Sequence, residues 1–189
     1  MVRRLPEANP LASLGPMLRT PAALLIWLSA GLPLAAQSCD LRFVVDVTQG
    51  VPTHPPGSRL EGRASFTTLG PRIRQEGGAT AHLAAGEMVL EGGIAGPIWT
   101  LIVTSNGSAA DLIGLYANHV SGLSVAGVDF AGPMVLTLYG RPGARPEPDP
   151  PVSQADWDRL DLRRAFSLQA PEGRDMLAGD VSELKVSCD

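Results

Sequence analysis

Apolar and polar side chains alternate along much of the chain, beginning at residues 41–47. There Leu41, Phe43, Val45 and Val47 share one face of an extended segment, and charged residues occupy part of the other face. A period of two predicts a β-strand that buries one face and exposes the other.

The same pattern, bounded by turns that contain glycine and proline, predicts further short strands. They cover residues 59–69, 98–105, 112–117, 134–140, 163–169 and 179–187, with two short strands within 80–94 and one within 122–132. Asn106-Gly107 is the strongest hairpin turn. No long helical pattern alternates with the strands, which disfavours a parallel α/β fold. We therefore expect an all-β fold, namely an antiparallel β-sandwich, with a β-barrel as the alternative.

One segment departs from the strand pattern. Residues 141–152 are too rich in proline to continue a strand or a helix. Ser153 follows, and Asp156 stands three residues further on, which is a capping-box pattern at a helix N-terminus. The sequence therefore predicts one short helix near residues 154–162.

The N-terminal region has the features of a secretory signal. Residues 22–36 form an apolar run that is shorter than the roughly 20 residues of a membrane-spanning helix. A basic residue precedes the run, and small residues end it at Ala36. We predict a signal peptide at residues 1–36, with Met17 as an alternative start, and a single β domain at residues 37–189. The mature form would then carry no transmembrane anchor, and an uncleaved anchor is the alternative.

The two cysteines, Cys39 and Cys188, stand at the two extremes of the predicted domain. An exported chain meets oxidising conditions, in which an even number of cysteines suits pairing. We predict a Cys39–Cys188 disulfide that makes the first and last strands neighbours, and a periplasmic or extracellular location. Lipidation of Cys39 at the end of a lipoprotein-like signal is the alternative.

The charge of the chain narrows its range of partners. The chain has 15 Lys and Arg against 19 Asp and Glu, a net charge of -4, and it has no basic cluster in its sequence. Because nucleic-acid phosphates are bound by clustered cations, we do not expect a nucleic-acid partner.

Few residues offer recognisable chemistry. His54, His82 and His119 lack the spacing of paired metal ligands. Ser124 lacks the last glycine and the following helix of a Gly-x-Ser-x-Gly nucleophile elbow. We therefore assign no catalytic residue.

An acidic segment around the predicted helix contains the candidate metal ligands. Asp156, Asp158 and Asp161 are candidate ligands for Ca²⁺, which prefers several carboxylate oxygens. The alternative is a solvated helix face whose charges are balanced by nearby arginines. No other cofactor is expected. We also expect Trp99 and Trp157 in the core, with a sugar-stacking role for either as the alternative.

Several segments taken in order resemble a domain of secreted bacterial proteins. They are PGSRLEGRASF at 56–66, LIVTSNGSAAD at 101–111, VLTLYG at 135–140, FSL at 166–168 and GDVSEL at 179–184. Together they resemble the β-sandwich of proteins that carry a C-terminal PEP-type sorting signal, the exosortase-associated proteins. Two features depart from that pattern: Tyr139-Gly140 replaces an aspartate, and the sequence up to Asp189 shows no apolar anchor. The resemblance implies a secreted accessory domain without defined chemistry.

These observations favour an exported, non-enzymatic structural or binding module of the bacterial envelope or extracellular matrix. Two alternatives are a small secreted hydrolase or isomerase on a β scaffold, and a Ca²⁺-stabilised carbohydrate-binding or adhesion domain. An enzyme should bring histidines and acids together in a deep polar pocket. A binding module should instead expose an aromatic or apolar patch.

Overall fold

The computed structural model describes residues 36–74, 78–105, 109–171 and 176–189. The strands in this part of the chain are β1 (Ser38–Gln49), β2 (Arg59–Arg74), β3 (Ala79–Leu90), β4 (Ile94–Thr104), β5 (Asp111–Ala117), β6 (Ser124–Val125), β7 (Val128–Asp129), β8 (Met134–Gly140), β9 (Arg163–Gln169) and β10 (Met176–Cys188), and the helix is α1 (Gln154–Asp158).

Eight of these strands form one closed antiparallel barrel. Their order around the barrel is β1-β10-β9-β8-β5-β4-β3-β2, and β6 and β7 form a separate hairpin. Strand β1 closes the ring because it pairs with β2 on one side and with β10 on the other, so that Cys39 lies opposite both Phe66 and Cys188. The expected all-β fold is confirmed. The expected sandwich is wrong and the barrel alternative is right, because the pairing of the first strand with the last leaves no open edge.

The two short strands predicted within residues 80–94 are replaced by one continuous strand, β3. A register shift against β4 between Leu83 and Gly86 marks a bulge in this strand. A bulge adds a residue to a strand without ending the pairing, which explains why the alternation in the sequence is interrupted at this point.

The helix is shorter than the sequence predicts. Ser153 caps the N-terminus of the helix, since its side chain accepts a hydrogen bond from the backbone N–H of Asp156. The helix ends at Asp158, because the chain beyond it turns back to the barrel, where the N–H of Leu162 donates to Tyr139 O of β8 at 2.9 Å. The Asn106-Gly107 turn and residues 1–35 of the predicted signal peptide lie outside the described residues.

Apolar side chains fill the interior of the barrel. Phe43 of β1 and Phe166 of β9 stack with their ring centroids 6.3 Å apart. A Cβ atom on Gly62 would lie 2.3 Å from the Phe43 ring, so only glycine fits at that position of β2. Met88, Leu101 and the inward-facing residues of β5 and β8 complete this core. The interior is therefore packed with side chains and forms a hydrophobic core rather than a ligand-binding cavity.

Both ends of the barrel are covered. Residues 141–162, which we call the cap, include α1 and bury Trp157 and Leu160 completely. Residues 118–133, which we call the hairpin segment, include β6 and β7 and bury Leu123 and Phe130 at the opposite end. The outer surface of the barrel is thus the main surface on which strand residues can meet another molecule.

A disulfide joins the barrel at its seam. Cys39 of β1 and Cys188 of β10 are bonded, with their Cα atoms 4.1 Å apart. This confirms the predicted pairing, and because the bond uses Cys39 Sγ, it is incompatible with the lipidation alternative. Within the described residues, no helix has the length and apolarity that crossing a membrane requires.

We expect the disulfide to be a major source of stability. Its partners are 149 residues apart in sequence, and closing so long a loop restricts the unfolded chain. Replacing both cysteines by alanine should lower the free energy of unfolding by about 2–5 kcal/mol in urea titrations. A reducing agent should lower the stability of the wild type to that of the double variant and leave the variant unchanged. A wild type that does not respond to reductant would contradict this prediction.

Candidate functional site

Three neighbouring strands of the eight-stranded barrel carry no charged side chain on their outer surface. Strands β4, β5 and β8 lie side by side, and none of their outward-facing residues, all of which the structure describes, is acidic or basic. Asp111, the acid of β5, is fully buried. Together with Leu83 of β3 these strands form what we call the uncharged face, whose outward-facing members include Leu83, Trp99, Ile102, Thr104, Leu112, Tyr116, Val135, Thr137 and Tyr139.

Trp99 is the most exposed aromatic side chain of this face, at 48%. It is the extra residue of a bulge, because Ile98 and Thr100 pair with consecutive residues of β5 and leave Trp99 without a partner there. Bulges redirect side chains, and here Ile98 stays buried while Trp99 turns outward. Leu83, on the neighbouring strand, is 44% exposed. The expectation that Trp99 belongs to the core is therefore wrong, whereas Trp157 is buried as expected.

Tyr116 lies flat on the barrel near the middle of the face. A Cβ atom on Gly114 would come within 2.7 Å of the Tyr116 ring, so the ring covers this glycine. Burial raises the pKa of the Tyr116 phenol above the usual tyrosine value, and the neighbouring Tyr139 adds to the effect. The phenol is therefore neutral at physiological pH, and the face has no latent negative charge at this position.

The opposite side of the outer surface, formed by β1, β2 and β10, is densely charged. Arg42 of β1 lies opposite Lys185 of β10 and opposite Arg63 of β2, so three cations form a row across three strands. Like charges directly opposite each other destabilise a sheet. Among the described residues, the ion pairs of this side instead involve Arg59, which contacts Asp46 at 3.2 Å and Glu183 at 2.9 Å.

Two open grooves lie on this charged side. Their volumes are about 730 and 610 Å³, and both are lined by the cation row together with acidic residues. The ion pairs of Arg59 are exposed to solvent, and exposed ion pairs contribute little to the free energy of folding. We find no buried polar group that aims into either groove among the described residues, so neither groove has the features of a preformed ligand site.

The cap covers a buried polar cluster at one end of the barrel. Asp111 accepts from the backbone N–H of Arg145 at 2.7 Å, and His82 Nε2 donates to Pro148 O at 2.8 Å. The Arg145 guanidinium donates to Asp149 O, and burial lowers the pKa of Arg145 against the opposing effect of nearby carboxylates. These groups bond to one another and to the cap, so the cluster holds the cap on the barrel.

The three histidines are not brought together. His82 is 3% exposed and lies beneath the cap. His54 lies beside the β3–β4 turn at the other end of β3, since a Cβ atom on Gly92 would be 3.7 Å from its ring. His119 is exposed and follows β5 in the hairpin segment. The convergence that the enzyme hypothesis requires is not provided by these side chains.

Two of the three candidate Ca²⁺ ligands have other partners. Asp156 accepts from Ser153 Oγ at 2.8 Å, and Asp158 accepts from Gln154 at 2.9 Å and pairs with Arg164 at 3.3 Å. Asp161 is exposed. Across the residues that the structure describes, no three His, Cys, Asp or Glu side chains are placed to hold a metal ion. The structure accounts for two of the three aspartates as helix-capping and ion-pairing groups.

The uncharged face was not predicted from the sequence, although the sequence contains a signal for it. Residues 94–140 contain no Lys or Arg, and their only acids are Asp111 and Asp129. Counting charges by segment would have revealed this long neutral stretch. The pairing of its three main strands into one surface depends on the barrel and could not be read from the count.

No protein-family model matches the chain, and comparisons with curated proteins and with solved structures likewise found no match.

The pKa of Tyr116 can be measured directly because the chain contains only two tyrosines. In the Tyr139→Phe variant, phenolate absorbance should report a higher midpoint in the folded protein than in urea, since burial is the larger cause of the shift. The folded state then holds this proton more tightly, so its contribution to stability is complete below about pH 10 and is lost as the pH rises through the folded pKa. Equal midpoints in the two states would contradict the assignment.

Asp111 offers a test of the cap. Replacement by alanine leaves the buried N–H of Arg145 without its acceptor and should lower the free energy of unfolding by about 1–3 kcal/mol. Asp111→Asn keeps an oxygen at this position and should lose less. Urea unfolding of the three proteins measures both effects, and an alanine variant as stable as the wild type would show that the hydrogen bond between Asp111 and Arg145 does not stabilise the cap.

Proposed function

We propose that this protein is an exported, non-enzymatic binding module that attaches to another component of the cell envelope or extracellular matrix through its uncharged face. The observation that carries the proposal is the exposure of Trp99 and Leu83 on a surface without charged side chains. Contiguous exposed apolar patches on globular proteins mark interaction sites.

The chemistry of the uncharged face suits a macromolecular partner. Desolvating charged side chains is costly unless they are paired, and this face requires no such desolvation. Its exposed tryptophan and its two tyrosines belong to the residue types that are enriched where protein surfaces meet. Threonines such as Thr104 and Thr137 add hydrogen-bonding groups between the apolar side chains.

The remainder of the molecule supports this role as a rigid scaffold. The interior is filled, and the cap and the hairpin segment cover its two ends. Strands present side chains more precisely than loops do, so the orientation of Trp99 is fixed by the bulge and by the strands around it. The disulfide holds the seam of the same barrel.

The disulfide also supports the proposed location. Disulfides persist in oxidising compartments such as the periplasm and the extracellular space. A secretory signal at residues 1–36 would deliver the chain there.

A substitution of Leu83, the member of the face on β3, tests the proposal in the cell that produces the protein. We expect the wild type in the particulate envelope or matrix fraction. Leu83→Arg should shift the protein to the soluble fraction by tenfold or more, because a buried unpaired charge costs several kcal/mol and about 1.4 kcal/mol corresponds to a factor of ten.

Val128→Arg is the matched control. Val128 is 46% exposed, close to the value for Leu83, but it lies in β7 outside the uncharged face. This variant should fractionate as the wild type does. Thermal unfolding of both variants checks that they fold. If a folded Leu83→Arg protein is retained as strongly as the wild type, the uncharged face is not the binding surface.

A further inference from the structure

Gln37 is the first residue of the described chain that hydrogen bonds hold to the barrel. Its backbone N–H donates to Thr68 Oγ1 at 3.1 Å, and its carbonyl accepts from the backbone N–H of Thr68 at 2.9 Å. Its side-chain nitrogen Nε2 donates to Pro151 O of the cap at 2.6 Å and to Cys39 Sγ at 3.4 Å. Gln37 therefore links the start of β1 to β2, to the cap and to the disulfide.

Removal of the predicted signal peptide would change the chemistry of this residue. The predicted cut follows Ala36, a small residue of the kind that precedes signal cleavage, and Ala36 is exposed. Cleavage there converts the backbone nitrogen of Gln37 into a free α-amine.

An N-terminal glutamine can react with its own side chain. The lone pair of the α-amine attacks Cδ of the side-chain amide, the Cδ–Nε2 bond breaks, and Nε2 leaves as ammonia with the proton that the amine loses. The product is a lactam, pyroglutamate, and no other reactant is needed.

We propose that Gln37 is a modification site controlled by the fold. The closed cap keeps the residue as glutamine, and release of the cap allows it to close to pyroglutamate. The inference rests on the export in the proposed function, since it requires a cut after Ala36.

The hydrogen bonds of Gln37 restrain both nitrogen atoms that take part in the reaction. The attacking nitrogen is held by Thr68 of β2, and the departing nitrogen is held by Pro151 of the cap. Ring closure draws Cδ toward the α-nitrogen, whereas these partners hold the two nitrogens on different elements. Breaking hydrogen bonds inside a folded protein without replacing them is unfavourable. The half-buried position of Gln37 also limits the access of an enzyme that catalyses the closure.

The modification would in turn weaken the contact with the cap. The ammonia that leaves contains Nε2, so Pro151 O loses the donor that Gln37 provides. Because the ammonia diffuses away, closing the cap again does not restore the hydrogen bond. A transient opening of the cap is thereby converted into a permanent change of the N-terminus.

Intact-mass spectrometry of the exported, disulfide-bonded protein tests this inference, since each ring closure lowers the mass by that of one ammonia. We expect the isolated protein to begin with an unmodified Gln37. It is then incubated at about pH 8, where a large fraction of an α-amine is uncharged. The folded protein should cyclise about tenfold or more slowly than the same protein in urea, because only the folded protein must break these hydrogen bonds.

Two threonine variants test the contact with β2. Thr68→Val removes the side-chain acceptor of the Gln37 nitrogen and should speed cyclisation of the folded protein about fivefold. Thr67→Val is the matched control, because Thr67 is also half-buried but its hydroxyl contacts Ser38. It should cyclise as the wild type does. In urea all three proteins should cyclise at the same rate, and thermal unfolding confirms that the variants fold.

Asp111→Ala tests the role of the cap, because it removes the acceptor that Asp111 provides to the backbone of Arg145. This variant should also cyclise faster than the wild type while folded. Acceleration in Thr68→Val alone would assign the protection to β2 and overturn control by the cap. Equal rates for the wild type with and without urea would overturn the inference as a whole.

The same spectra separate this inference from the proposed function. An exported protein that begins at another residue, or that carries pyroglutamate when isolated, overturns the inference about Gln37 while retention through Leu83 is unaffected. Retention that does not depend on Leu83 removes the binding surface but leaves the chemistry of Gln37, which requires only export and cleavage. A protein that is not exported overturns both proposals.

Discussion

The pairing of the first strand with the last is the constraint on which the rest of the structure depends. Once β1 hydrogen-bonds to β10, the sheet has no open edge, and its inward-facing side chains must fill a closed space. Phe43 and Phe166, from strands that are not neighbours, meet in that space. The Cys39–Cys188 bond lies at the seam. Closure therefore determines both the core and the absence of a free edge to which a further strand could be added.

Closure also determines where the polar groups lie. Inward positions near the cap include His82 and Asp111, which a purely apolar core would exclude, and the cap supplies their hydrogen-bond partners. Buried polar groups are costly unless they are satisfied. The cap thus has a structural task, because the carbonyl groups of Pro148 and Pro151 accept hydrogen bonds from His82 of β3 and from Gln37, which precedes β1.

Much of this fold could be predicted from alternation alone, because a strand with one buried face has a period of two wherever it lies. The terminal cysteines added the one long-range contact that the sequence revealed, and it proved to be the seam. The distinction between a sandwich and a barrel could not be read in this way, since both use the same alternation. Trp99 was misplaced in the core because a bulge changes the phase of β4, and bulges depend on the partner strands.

The composition of the outward positions is informative because the barrel does not require it. Charged residues face outward on β1, β2 and β10, which belong to the same sheet and have the same pattern of burial as β4, β5 and β8. Folding therefore tolerates charge at such positions, even in the row of like charges around Arg42. A neutral face with an exposed Trp99 increases the tendency to associate without improving the core. Such a face is better explained by contact with another molecule than by the stability of the barrel itself.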